Sequence, residues 1–155
     1  MEIKVLFVCH GNICRSPMAE FVFKDMVKKK GLSNQFKIAS AATSTEEIGN
    51  GVHPGTRKLL NGLGISSDGK CAVQMRKSDY KEYDYILAMD QRNISNIHRI
   101  IGIDTEKKVQ KLLDYTYKSG DIADPWYTGD FDKTYEDIYA GCEGLLNVIR
   151  EKYNI

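Results

Sequence analysis

The sequence predicts an α/β domain built on a parallel sheet with helices on both faces. Short apolar, β-branched runs alternate with amphipathic helical stretches along the whole chain, which is the order that parallel strands and crossover helices require. The first run, Ile3 to Val8, has the composition of a strand buried on both faces. No internal repeat, low-complexity tract or interdomain linker interrupts the alternation, so residues 1–155 read as one domain with a substantial core.

The elements follow in order. After the first strand, Ser16 reads as an N-cap and Pro17 as the first helical residue. Met18, Phe21, Val22 and Met26 then recur at helical spacing. Lys28, Lys29 and Lys30 suit the negative end of that helix, and Gly31 stops it. Phe36 to Ala41 is a second strand, and the polar loop GNGVHPG leads to a helix from about Thr56 to Leu63, ended by Gly64. A helical turn at Ser78 to Glu82 precedes DYILAMD, whose apolar centre is a third strand. Gln91 to Ile101 is helical, and Val109 to Leu113 is a short fourth strand. The segment YTYKSGDIADPWYTGD is the one long irregular stretch. Asp132 to Tyr153 is a final amphipathic helix that buries Ile138, Leu145, Leu146 and Ile149.

Charge narrows the possible partners. With 22 basic and 21 acidic side chains the net charge is +1, so no global field recruits nucleic acid or an anionic membrane. Affinity for phosphate must come from a local site. There is no secretory pattern, and no apolar stretch approaches the roughly 18 residues of a membrane span, so the expectation is a cytoplasmic protein. Cys9, Cys14, Cys71 and Cys142 are expected to be free thiols in a reducing compartment. No Cys-x-x-Cys pair or zinc-spaced histidine cluster is present, and no metal is expected. His10, His53 and His98 are scattered and read as turn or surface residues.

In a doubly wound sheet the ligand sits beyond the carboxyl ends of the strands, beside the first strand. CHGNICRS, residues 9–16, occupies that place. Gly11 and Asn12 permit the unusual dihedrals of a tight turn. Such a turn aims successive amides inward, here from His10, Gly11, Asn12, Ile13, Cys14 and Arg15, with the positive end of a helix behind them. A phosphoryl dianion fits that donor set, and the Arg15 fork binds two of its oxygens. The same field favours the thiolate of Cys9, which would lie beneath the phosphorus for in-line attack. The plain alternative is a buried thiol in a βα turn. Dephosphorylation also needs an acid. Asp124, in the ADPW sequence of the irregular segment, is the candidate, although Asp-Pro is also a common turn opener.

Taken together, these residues resemble the low-molecular-weight protein tyrosine phosphatases. VLFVCHGNICRSPMAE near the start, SAATS at 40–44, DYILAMD at 84–90 and DPWY at 124–127 carry the resemblance over nearly the whole chain. It implies a four-stranded parallel sheet in the order 2-1-3-4, flavodoxin-like. It also implies cofactor-free and metal-free hydrolysis of phosphotyrosine proteins, peptides and small aryl phosphates through a phosphocysteine. A monomer inhibited by phosphate and vanadate is expected. By carry-over, Cys9 is the nucleophile, Arg15 and the loop amides hold the phosphoryl group, and Asp124 is acid and then base. Asn12, Ser16 and Ser40 match loop-bracing positions, where ordinary turn and cap bonding is the alternative. Asp90 matches a structural acid. Trp126 and Tyr127 match an aromatic wall that favours flat aryl phosphates. Cys14 matches a thiol able to form a reversible disulfide with Cys9, or else is simply a small buried loop residue.

Two positions depart from the pattern. Glu46 stands where many members have an aromatic residue, which leaves a more open pocket with an acidic rim at Glu46 and Glu47 and suggests phosphopeptides with basic flanks. Lys70 stands where many carry a histidine, so the loop must be braced differently. Three rival readings are weaker. An arsenate reductase needs two nearby downstream cysteines, whereas Cys71 and Cys142 are far apart and read as buried core thiols. An arginine phosphatase tends to carry threonine in place of Ile13. A non-catalytic phosphotyrosine-binding module needs neither Cys9 nor Asp124.

Overall fold

The computed structural model describes residues 1–155. Strands β1 (Ile3–Cys9), β2 (Phe36–Ala42), β3 (Tyr85–Ala88) and β4 (Val109–Lys111) form one parallel sheet in the order β2-β1-β3-β4, as expected. The helices are α1 (Arg15–Lys29), α2 (Pro54–Gly62), α3 (Asp79–Glu82), α4 (Gln91–Ile101), α5 (Pro125–Thr128) and α6 (Phe131–Tyr153).

Strand β1 is central, and its alternation divides the core. Val5, Phe7 and Cys9 face α1 and α6, where they pack with Met18, Phe23, Leu145 and Ile149. Leu6 and Val8 face the other way and join Ile86, Ala88 and Ile97. Phe23 ties α1 to the first two strands, with its ring edge-on to Phe7 at 5.6 Å and to Phe36 at 5.7 Å. Burying a side chain of this size contributes about 1.5–3 kcal/mol. Helix α6 approaches the turn at Leu112–Tyr115 so closely that a Cβ at Gly144 would overlap the Tyr115 carbonyl.

Several boundaries differ from the sequence reading, each for a physical reason. Helix α1 begins at Arg15 with Cys14 at the N-cap position and no side-chain cap, because the Ser16 hydroxyl is taken up by Cys9 and Asn12. Within α1, Phe23 and Val27 are buried, whereas Phe21 and Met26 are only partly so. Helix α2 starts earlier than expected, at Pro54, since the His53 ring caps it by accepting from the Gly55 amide at 3.0 Å. The fourth strand stops at Lys111 and tightens into the turn at Leu112–Tyr115. The segment read as irregular contains α5, opened by Asp124 and closed by Gly129 in the left-handed region. Cys71 corrects the reading of a core thiol: it is exposed, bridged to Gly51, while Cys142 is fully buried.

Candidate active site

The loop between β1 and α1 takes its sharp turn at Asn12, whose φ is 59°; Gly11 is not the left-handed residue. A Cβ at position 11 would meet Glu47 Cγ at 3.4 Å, an ordinary van der Waals contact, so Glu47 lies beside the loop. The Cys9 sulfur sits at the base, 3.3 Å from the Asn12 amide and 3.0 Å from Ser16 Oγ.

Behind the loop the proton directions are fixed. Asn12 Oδ1 accepts from the Val73 amide at 3.2 Å, which orients the side-chain amide. Its Nδ2 therefore donates to Ser16 Oγ at 2.7 Å and to Ser40 Oγ at 2.9 Å. An amide NH2 only donates, so both serine oxygens are acceptors here and must turn their own protons elsewhere. Ser16 then donates to the Cys9 sulfur, and Ser40 donates to Glu20 Oε1 at 2.5 Å. Glu20 is buried between Lys24 at 2.6 Å and Lys70 at 3.7 Å, and Lys70 also donates to the Ser40 carbonyl at 2.9 Å. Burial lowers the Lys70 pKa against the opposing pull of Glu20. Lys70 thus braces the loop through Ser40 and Glu20. Glu20 was not singled out from the sequence, because a Glu–Lys pair four apart on a helix has the signature of a solvated face.

Arg15 is almost fully buried. Its Nη1 donates to Asp90 Oδ2 at 2.7 Å and to the Ile122 carbonyl at 2.9 Å, while Nη2 reaches Asp124 Oδ2 at 3.4 Å. Burial opposes its charge, but Cys9, Asp90 and Asp124 outweigh burial and raise its pKa. Asp90 also caps α4 by accepting from the Asn93 amide at 2.8 Å, which fixes the carboxylate that holds Arg15. Asp124 caps α5, accepting from the Trp126 amide at 3.1 Å. Burial, then Asp124 and Cys9, raises the Cys14 pKa to about 12, so Cys14 stays a thiol at neutral pH.

One pocket gathers most of the predicted residues: Cys9, His10, Gly11, Ile13, Cys14, Arg15, Glu46, Glu47, Asp124, Trp126 and Tyr127. Asn12, Ser16 and Ser40 lie behind the loop instead and do not line the pocket. Trp126 and Tyr127 form one exposed wall. On the opposite side His10 Nε2 bonds Glu46 Oε2, and Ser44 ties this segment to the His10 carbonyl. The arrangement offers a nucleophile at the floor, a fixed cation beside it and a carboxyl group at the mouth.

Comparison with known proteins agrees with this geometry. A family model described as low molecular weight phosphotyrosine protein phosphatase matches residues 4–154. The chain is 45% identical over 152 residues to low molecular weight protein-tyrosine-phosphatase YfkJ of Bacillus subtilis, covering 97% of each chain. It is 35% identical over 154 residues to PtpA of Staphylococcus aureus, covering 99% of this chain and 97% of that one. The crystal structure of YfkJ superposes with a TM-score of 0.95 at 44% identity, over 98% of this chain and 97% of that one. A protein tyrosine phosphatase from Entamoeba histolytica, solved with Hepes in its active site, gives 0.90 at 31% identity, over 98% and 99%.

Proposed function

The chain belongs to the low molecular weight phosphotyrosine protein phosphatase family, and on that premise we propose how its own residues hydrolyse phosphotyrosine. The observation that carries the proposal is the Cys9 sulfur, held by Ser16 Oγ and the Asn12 amide at the floor of a pocket that also contains Arg15 and Asp124.

The phosphoryl group enters with its oxygens toward the loop amides and Arg15. The longest bond of Arg15, at 3.4 Å to Asp124, is the one that yields, while the bonds at 2.7 Å to Asp90 and 2.9 Å to Ile122 keep the guanidinium in place. The released Asp124 carboxyl, protonated beside the dianion, faces the leaving oxygen. Cys9 sulfur then bonds phosphorus as the P–O bond to the aryl group breaks, and the Asp124 proton passes to the phenolate. Tyrosine leaves with an ordinary pKa of about 10, so this proton matters. In the second step Asp124, now a carboxylate, takes a proton from water. The water oxygen bonds phosphorus, the S–P bond breaks, and inorganic phosphate leaves with the Cys9 thiolate restored.

Trp126 and Tyr127 flank the aryl ring and favour phosphotyrosine over shorter phosphoserine. The apolar Ile13 side chain on the pocket wall supports an aryl substrate over a guanidino one. The loop amides and Arg15 support inhibition by phosphate and vanadate. Four free cysteines suit a reducing, cytoplasmic setting for a monomeric enzyme acting on phosphoproteins. The test is hydrolysis of para-nitrophenyl phosphate and a phosphotyrosine peptide by the native chain, Cys9→Ser and Asp124→Asn. Cys9→Ser abolishes turnover, and Asp124→Asn harms the peptide more than the nitrophenyl ester. Full activity in Cys9→Ser would contradict the mechanism.

A further inference from the structure

His53 joins three parts of the molecule that the reaction needs in register. Its backbone N–H donates to the Ile13 carbonyl of the phosphate-binding loop at 2.9 Å. Its Nδ1 accepts from the Gly55 amide at 3.0 Å and caps α2. The ring is stacked on Phe131, with centroids 5.2 Å apart and planes at 24°, and meets Trp126 edge-on at 5.7 Å and 81°. Phe131 is itself seated against Gly55, where a Cβ would overlap its ring. The three rings therefore form one contiguous cluster from the acid loop, through the start of α2, to the start of α6.

We infer that His53 is a positioning residue for proton transfer: its ring holds Trp126, and through Trp126 it fixes the Asp124 carboxyl over the phosphate-binding loop. Trp126 is more than half exposed, so burial in the core does not hold it in place, and its backbone amide donates to Asp124 Oδ1 at 3.1 Å. Helix α5 is a single turn and cannot set its own orientation. The aromatic contact with His53 ties that turn to the loop that holds the phosphoryl group. Function follows from the ring, while the cap at Nδ1 serves only α2.

The inference rests on Asp124 being the acid, and the test separates the two claims. We would measure kcat/KM for phosphotyrosine, which needs a proton on its leaving group, and for 2,4-dinitrophenyl phosphate, which does not. The ratio of the two is taken on one preparation, so any loss of folded protein cancels. His53→Asn keeps a capping acceptor and removes the ring. It lowers the ratio by about two- to tenfold, the range of one lost aromatic contact. His53→Phe keeps a ring and removes the acceptor, and its ratio stays near that of the native chain. Inhibition by inorganic phosphate is unchanged in both, because the bond to Ile13 comes from the backbone. Trp126 is the single tryptophan, so acrylamide quenching of its fluorescence reads the contact directly: it rises in His53→Asn and not in His53→Phe. An unchanged ratio in His53→Asn, alongside a lowered one in Asp124→Asn, overturns the role of His53 and leaves the acid in place. An unchanged ratio in Asp124→Asn overturns both.

Discussion

Replacing Asn12 with aspartate keeps the size of the side chain and its tolerance for a φ of 59°, but reverses the polarity of its hydrogen bonds. The native amide donates to Ser16 at 2.7 Å and to Ser40 at 2.9 Å, and its oxygen accepts from Val73 at 3.2 Å. A carboxylate preserves only the last of these. The bond to Ser40 is lost outright, because the Ser40 proton stays on Glu20, and this costs about 0.5–1.5 kcal/mol. The new buried charge, which shares a network with Glu20 and the Cys9 sulfur, adds several kcal/mol more in effective desolvation. Stability should therefore fall by about 3–5 kcal/mol, measured by urea unfolding. The Ser16 proton then turns from the Cys9 sulfur to the new carboxylate, and a charge-assisted bond of about 1.5–3 kcal/mol leaves the thiolate. Inactivation by iodoacetamide at neutral pH should slow by about ten- to hundredfold, with kcat/KM for para-nitrophenyl phosphate falling alongside. An Asn12→Asp enzyme within twofold of the native chain in both rates would refute the assigned proton directions.

Three further outcomes follow from the structure. Burial raises Cys14 from 9.0 and Tyr115 from 10.0 to about 12, so the unfolded chain releases these protons first. Their contribution to stability is then level below about pH 9, falls above it as Cys14 ionises in the unfolded chain, and falls further above about pH 10 with Tyr115; a urea midpoint that does not move through this range contradicts it. Glu46→Gln should lower the preference for phosphotyrosine peptides with basic flanks by about 1.5- to fivefold in kcat/KM, the range of an exposed ion pair. Equal rates on basic and acidic peptides in both proteins would remove that role. Gly144→Ala gains helix propensity but drives a methyl into the Tyr115 carbonyl, so thermal unfolding should show a net loss of about 1–3 kcal/mol. A more stable variant would show that α6 can shift freely.

The parallel sheet, its strand order and the place of the site were legible because β1 is buried on both faces and its apolar run shows it. Cys9, Arg15 and Asp124 stand out in the sequence because they lie in short motifs, and the structure brings the three to one pocket. What escaped notice depends on contacts far along the chain. Glu20 reads as a surface pair with Lys24, and only the approach of Ser40 and Lys70 turns it into a buried anchor. His53 reads as a loop residue, because Trp126 and Phe131 meet it from more than 70 positions away. Ser16 has the composition of an N-cap, yet the neighbouring sulfur claims its hydroxyl. Local rules failed at the residues that hold the loop in its working shape.

The most direct test of the account is chemical capture of the intermediate. The native chain is mixed with para-nitrophenyl phosphate, quenched in acid within one turnover, digested and mapped by mass spectrometry. The account predicts a phosphoryl group on the peptide that carries Cys9, absent from Cys9→Ser and still formed in Asp124→Asn, whose second step lacks its base. Turnover without any adduct on Cys9, or an adduct on Cys14 or Cys71 in its place, would contradict it.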